Sequence, residues 1–280
     1  MNLPYFSAED VERHLTPSVA IDALGAALER GFDPETDPAR TFVGLAGGGD
    51  LIMMPSELGG HLAVKLVTVG GTPRVQGVVV VFSDDTYAPV ALMDGIAMTN
   101  IRTSAVSALA ARHLARADAS RLLIFGRGPQ AAAHEAAMRA IRPISVVDIV
   151  GREAAGAPDL VRAADIICTC TTSSVPVFDG SLVRDDAVVI AIGSHDADAR
   201  ETDDALASRA TVVVESRQSA LREGGDVICA IESGALSADS LVTLSELVRG
   251  AAVPSGPRLF KSSGMSWEDA VMAGVLAARV

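Results

Sequence analysis

The sequence predicts an α/β protein whose second half, near residues 120 to 262, is a doubly wound parallel sheet. Three observations predict it. Short apolar runs recur through that half with helical segments between them, the rhythm of parallel strands joined by crossover helices. One of these runs, Leu122-Leu-Ile-Phe125, leads straight into a glycine-rich turn and then a helix. Finally, 49% of the 280 residues are hydrophobic but only 4% aromatic, so the core must be built from Ala, Val, Leu and Ile, which suits layered strands and helices.

Taken in order, Ser7-Ala-Glu-Asp10 sets an N-cap before acidic first-turn residues and opens a short helix. A second helix spans roughly 17 to 30, with Val19, Ala20, Leu24, Ala27 and Leu28 at helical spacing and Gly31 and Pro34 ending it. Four β-type runs follow: Leu51–Met54, His61–Val69, Gly77–Phe82 and Pro89–Met93, the last two joined by a hairpin turn at Asp84-Asp85-Thr86. From Ile96 to Ala115 the pattern is helical, and this helix is expected to run across a domain boundary near 105 to 118. The strands of the second half are placed at Arg121–Phe125, Ile144–Val150, Asp165–Thr171, Ala187–Ile192, Thr211–Glu215 and Arg258–Lys261, with a clear helix at Pro129–Ile141. Ser266–Val280 closes the chain as an Ala-rich helix with Trp267-Glu-Asp in its first turn.

The net charge of −12 argues against nucleic acid as a partner, because phosphate binding needs clustered Lys and Arg. It leaves room for a small anionic substrate held by a few local cations. The three cysteines, Cys168, Cys170 and Cys229, show neither a disulfide framework nor a zinc spacing, and no metal site is expected. No apolar run reaches the ~18 residues of a membrane span, and no export signal is read at the start, so a cytoplasmic protein without a membrane partner is expected.

The turn after the first strand of the second half reads Gly126-Arg-Gly128-Pro-Gln-Ala131, a G-x-G-x-x-A motif in the strand–turn–helix setting of a Rossmann-type dinucleotide site. Gly126 allows the tight turn, Gly128 admits a pyrophosphate to the backbone, and Ala131 permits close helix–strand packing. Pro129 suits the first helical turn, and the helix N-terminus offers its N–H groups to phosphate. The next strand ends in Gly151-Arg152-Glu153, while Asp148 lies inside it, too early for the ribose position. Gly151 and Arg152 favour a 2′-phosphate and hence NADP(H), whereas Glu153 keeps NAD(H) open. Lys65, alone at the centre of Leu62-Ala-Val-Lys-Leu-Val67, is costly to bury without a function.

Several segments together resemble the ornithine cyclodeaminase/μ-crystallin family. They are Met54-Pro55, His61-Leu-Ala-Val-Lys65-Leu, Gln76-Gly77, Met98-Thr-Asn-Ile-Arg102-Thr-Ser-Ala, the Gly126 loop, Thr171-Thr172-Ser173, Ala191-Ile-Gly193-Ser194, Arg200-Glu201 and Leu259-Phe-Lys261-Ser-Ser-Gly264. The resemblance runs in order through nearly the whole chain. It implies an α+β substrate and dimerisation domain built from both termini, residues 1–112 and 265–280, around a Rossmann domain at 113–264, and a homodimer. The connection between Arg152 and Val161 is expected to be trimmed. By resemblance, Arg40 and Arg102 hold a substrate carboxylate, Lys65 stands at the reacting centre, and Met54 and Ser263 line the substrate. Arg102, Gln130, Thr171, Thr172, Gly193, Ser194 and Ser262 line the cofactor. On the residues alone, Arg40 reads as a surface residue and Arg102 as an i,i+4 salt-bridge partner.

Two departures bear on the activity. In ornithine-cyclising members the loop after the fourth strand carries an acid that manages the amines; here His195 stands in its place, and Ala199 replaces a lysine. A reductase needs only a carboxylate clamp, a proton donor and a hydride source, and Lys65 or His195 can donate the proton. The expectation is therefore NAD(P)H-dependent reduction of a cyclic imino acid, Δ1-pyrroline-2-carboxylate or Δ1-piperideine-2-carboxylate. Ornithine cyclodeamination, an alanine-dehydrogenase-like activity and a non-catalytic cofactor- and ligand-binding protein stand as alternatives.

Overall fold

The computed structural model describes residues 3–151 and 158–279. Their packing separates two compact units, Met1–Ala105 with Met265–Val280, and Val106–Gly264.

The first unit is a six-stranded sheet with helices. Its strands are β1 (Tyr5–Phe6), β2 (Thr41–Leu45), β3 (Gly49–Leu58), β4 (His61–Val69), β5 (Val75–Ser83) and β6 (Pro89–Asp94), in the spatial order β1-β6-β5-β4-β3-β2. All pairings are antiparallel except β1 with β6. Helices α1 (Ala8–His14) and α2 (Pro17–Glu29) precede β2. The Ser7 capping box forms as the sequence suggests. Strand β3 runs on through Pro55, beyond the expected stop at Met54. β2 begins at Thr41, opposite Met53, so from Pro55 onward β3 has β4 as its one ladder neighbour, and a strand with one open side is where proline is tolerated. The Asp84–Thr86 turn is present, with the Ser83 hydroxyl accepting the N–H groups of Asp85 and Thr86. The C-terminal helix, labelled α10 below, spans Ser266–Ala277 and packs across β3 and β4 and against α2.

Helix α3 (Gly95–Leu114) is capped by Asp94, whose carboxylate accepts the N–H groups of Ile96 and Ala97, and the division between the units falls inside it.

The second unit is a seven-stranded, all-parallel sheet. In chain order it comprises β7 (Arg121–Phe125), α4 (Pro129–Ile141), β8 (Val146–Val150), α5 (Pro158–Ala163), β9 (Ile166–Thr169), β10 (Val188–Ala191), α6 (Asp204–Ala207), β11 (Thr211–Val214), α7 (Arg217–Glu223), α8 (Gly225–Glu232), β12 (Val242–Thr243), α9 (Leu244–Val248) and β13 (Arg258–Lys261), followed in the chain by α10. The strand order β12-β11-β13-β10-β9-β7-β8 reverses direction between β7 and β9, the switch point where doubly wound sheets bind ligands. Strands β9 and β10 are buried along their whole length and read as continuous apolar runs, as two-faced burial requires. The short elements β1, β2, β12 and α6 to α9 were not legible from periodicity.

Candidate functional site

In the first unit, four ionised side chains meet in the interior. Lys65 sits mid-strand in β4, only 2% exposed, and its Nζ lies 2.7 Å from Asp269 Oδ2. It also donates, at 3.4 Å, to the hydroxyl of Thr99, whose own proton goes to the Gly95 carbonyl. Arg102 projects from α3, and its Nη1 donates to Glu268 Oε2 at 2.8 Å, with Nε 3.7 Å from Asp269 Oδ1. Two cations and two carboxylates thus neutralise one another in a dry interior, which is how buried charge is tolerated. Arg102 is accordingly not the i,i+4 partner its residue type alone suggests: its acid comes from α10. Met54 lies on β3 directly opposite Lys65, and Arg40, half-buried, comes just before β2.

Burial and the neighbouring Arg102 charge pull the Lys65 ammonium down to about 8, against the opposing pull of Asp269. Asp37 ties this region together by accepting the Trp267 N–H at 2.9 Å, so a distant carboxylate caps the start of α10. Burial pushes Asp37 up to about 6; the Ser56 hydroxyl and the Trp267 N–H pull the other way, and the nearby Asp269 charge adds to the rise.

Sequence reasoning missed Glu268 and Asp269 as functional candidates. Acids in a first helical turn satisfy a local rule about the helix dipole, so nothing marked them as buried partners. The signal was their place in an otherwise apolar helix.

In the second unit, Gly126, Gly128, Pro129, Gln130, Gly151, Thr171, Thr172, Gly193, Ser194, His195, Ser262 and Ser263 all follow the C-terminal ends of parallel strands and share one edge of the sheet. Arg152 lies outside the described residues. Gly126 has φ +117°, and a Cβ there would overlap the Cys170 carbonyl, so the turn demands glycine. A Cβ at Gly128 would meet nothing within 4 Å; it would project into open space at the N-terminus of α4, where Pro129 opens the helix. An extended glycine before a thirteen-residue helix, with space in front of its N–H groups, fits a dinucleotide pyrophosphate. Gly151 closes β8, and a methyl group on it would stand 3.5 Å from Nε of Arg127. Arg127, the variable residue of the glycine motif, escaped notice in the sequence because that position carries no fixed chemistry.

Three buried carboxylates hold these loops. Glu201 accepts the Thr171 N–H and hydroxyl at 2.9 and 2.7 Å on one oxygen, and the Gly193 N–H and Thr169 hydroxyl, both at 2.7 Å, on the other. Asp226 accepts from Glu201 N, Thr202 N and Thr202 Oγ1, and pairs at 2.9 Å with Lys261, which also donates to the Ser194 carbonyl at 2.6 Å. Glu215 accepts the Ser262 hydroxyl and the N–H groups of Ser263 and Gly264. The hydroxyl protons of Thr171, Ser194 and Ser262 are therefore committed within the protein. What these residues can offer a bound cofactor is lone pairs and backbone. Ser263 meets the Ser219 hydroxyl at 3.0 Å, and His195 is exposed in the turn after β10. Burial raises the Glu201 carboxyl, while the Lys261 charge opposes the rise. For Asp226 burial also pushes upward, but Lys261 and the Thr202 donors win and hold it below the usual range.

The parallel sheet, its glycine turn at the switch point and these anchored loops define a Rossmann-type dinucleotide-binding protein. The chain belongs to the ornithine cyclodeaminase/mu-crystallin family, whose model matches residues 5–159 and 154–280. It is 33% identical over 303 residues to the ketimine reductase mu-crystallin of Rattus norvegicus, covering 96% of this chain and 95% of that one. It is 30% identical over 293 residues to Delta(1)-pyrroline-2-carboxylate reductase 2 of Burkholderia ambifaria, covering 95% and 93%. Its fold matches the Delta(1)-pyrroline-2-carboxylate reductase of Thermococcus litoralis, solved with NADH and L-proline, with a TM-score of 0.89 at 26% identity over 99% and 97% of the two chains. Among the described residues, no helix is long and apolar enough to cross a membrane.

Proposed function

We propose that this protein reduces a cyclic imino acid, Δ1-pyrroline-2-carboxylate or Δ1-piperideine-2-carboxylate, to the cyclic amino acid with NAD(P)H. The observation that carries the reading is Lys65: a buried lysine held 2.7 Å from Asp269, beside an Arg102 whose charge, with burial, pulls its ammonium down to about 8. A general acid works best when its pKa lies close to the operating pH. Lys65 gives its proton to the imine nitrogen, and Arg40 and Arg102 receive the carboxylate as planar guanidinium donors. The reduced dinucleotide, when bound, supplies the hydride to the carbon of the C=N bond. The Gly126–Ala131 turn and the N-terminus of α4 take its pyrophosphate. NADP(H) is the preferred form and NAD(H) is also accommodated: Arg127 beside Gly151, together with Arg152, favours a 2′-phosphate. His195 assists the proton transfer or shapes the pocket. The relatives named as pyrroline-2-carboxylate and ketimine reductases support the same chemistry.

The protein works as a homodimer through its first unit. The apolar side chains Phe42, Val43 and Leu45, exposed on edge strand β2, support this, since a bare apolar edge otherwise invites unspecific pairing.

The test is loss of reduced-nicotinamide absorbance on adding each imine. Rapid oxidation of NADPH supports the reading. Release of ammonia from ornithine without net cofactor consumption would replace it with cyclodeamination, despite His195 at the position of the acid. Pyruvate- and ammonia-dependent oxidation of NADH would point to an alanine-dehydrogenase-like enzyme, and cofactor binding without any turnover to a binding protein.

A further inference from the structure

The chain has 23 basic side chains, but only two of them, Lys65 and Lys261, are lysines. Both are 2% exposed, so every solvent-facing cation among the arginines and lysines is an arginine. Each lysine has a buried aspartate at contact distance, Asp269 at 2.7 Å and Asp226 at 2.9 Å. An arginine holds its proton at any working pH and carries a wide planar head, whereas an ammonium is compact and can release a proton. In a chain that otherwise uses arginine, the two lysines mark places where those properties are needed.

The two pairs are spent differently. Lys261 is committed to Asp226 and, at 2.6 Å, to the Ser194 carbonyl, and it ties loops together. Among the described residues, Lys65 has one short partner, Asp269, and a long 3.4 Å contact with Thr99. The charged groups around it are Glu268 and Asp269 from α10, Arg102 from α3, Arg40 before β2, and Asp37, which faces Asp269 from the segment between α2 and β2. Its strand neighbours Met54 and Val79 carry no charge. Arg102 and Arg40 both push the proton off Lys65; Asp269 is the carboxylate close enough to hold it on.

We propose that Asp269 is the positioning residue of the reaction: it fixes the Lys65 ammonium in place and keeps it protonated until the imine nitrogen takes the proton. The step balances without a further reactant. The N–H bond of Lys65 breaks as the imine N–H forms, and the hydride pair fills the carbon. A solvent proton later restores the ammonium beside the Asp269 carboxylate. This rests on the reductase reading, but part of its test does not.

With only two lysines, lysine labelled with ¹³C at Cε gives two side-chain NMR signals, and Lys65→Gln assigns them by removing one. In the native protein the Lys65 signal should titrate near 8. In Asp269→Asn it should titrate at least about one unit lower. The basic limb of kcat for imine reduction should move down with it. A one-unit move lowers kcat roughly fivefold at about pH 8 and hardly at all near pH 6, and KM stays within about twofold. A purely structural residue would lower kcat evenly at all pH. An unmoved Lys65 signal, or an unmoved limb with a uniform loss, overturns the proposal. Asp269→Glu keeps the charge but moves the head by one methylene: its Lys65 signal should stay in place while kcat falls. Wild-type kcat in that variant would also overturn it. Should the NMR signal move in an enzyme that ignores cyclic imines, the substrate reading fails and the control of Lys65 by Asp269 stands.

Discussion

Replacing Lys261 with Met tests whether the second unit depends on its buried ion pair. The change leaves Asp226, without its counter-charge, beside Glu201 in a region closed to water. Removing one partner of a buried pair typically costs about 3–5 kcal/mol, because the other charge stays desolvated. Asp226 keeps three donors on Oδ1, from Glu201 N, Thr202 N and Thr202 Oγ1, so the expected loss is at the lower end, about 3 kcal/mol. That is a large part of a typical stability of about 5–15 kcal/mol. The ammonium also holds the Ser194 carbonyl, so dinucleotide affinity should fall as well. Urea denaturation followed by circular dichroism reads the first effect, and cofactor fluorescence titration reads the second. Adding Asp226→Asn removes the orphaned charge while keeping an acceptor for the three donors, and should return at least half of the lost stability. The pH dependence has a definite sign. Native Asp226 is held below the usual carboxylate range, so its contribution is present above about pH 4 and is lost as pH falls through its folded pKa. Without Lys261 the carboxyl takes up a proton sooner, and the gap between variant and native protein narrows in mild acid. A loss under about 1 kcal/mol, or a double variant no more stable than the single one, would refute the reasoning.

Three other changes probe separate features. His134 is fully buried between the Gln130 carbonyl and the Ser107 hydroxyl, and burial drives its ring down to about 4, the Gln130 bond opposing. Its folded pKa lies below the unfolded value of about 6.5, so acid favours unfolding. Stability should drop by about 1.5 kcal/mol between pH 6.5 and pH 5, a slope that His134→Gln removes in urea titrations at the two pH values. Gly128→Val should leave stability within about 0.5 kcal/mol, since its Cβ meets open space, yet abolish dinucleotide binding; Gly126→Ala should damage both, because it strikes the Cys170 carbonyl at positive φ. Equal effects of the two changes in melting and fluorescence assays would show that the turn is not the pyrophosphate cradle. Arg127→Ala should weaken NADPH binding by about tenfold and leave NADH within about twofold in the same titration, the loss expected of one charge-assisted contact; equal losses would remove Arg127 from the 2′-phosphate reading.

Local signals carried a large part of the architecture. The strand–turn–helix at Leu122–Ile141 was legible because strand apolarity, glycine spacing and helix period lie within twenty residues of one another. The long helix α3 and the Asp84–Thr86 turn were legible for the same reason. The short elements α6 to α9 span four to eight residues each, too few to display a period. Strand β2 is exposed along its length, so no alternation marked it. Lys65 stood out because a charge inside an apolar alternation has no cheap explanation. Its partners did not stand out: Asp269 lies 204 positions away, and a first-turn acid already has a local reason to exist. Glu201, Glu215 and Asp226 bind backbone N–H groups of loops that only the folded sheet gathers, and no spacing rule announces such contacts.

The most direct test of the central claim is a single assay: purified protein, NADPH or NADH, and Δ1-pyrroline-2-carboxylate or Δ1-piperideine-2-carboxylate, run beside Lys65→Ala. The account predicts fast oxidation of NADPH, slower oxidation of NADH, formation of proline or pipecolate in equal amount, and a Lys65→Ala variant that binds cofactor but turns over at least a hundredfold more slowly, the upper part of a general acid's contribution of about 10²–10⁴. No oxidation with either imine, or a Lys65→Ala variant as fast as the native enzyme, would contradict it.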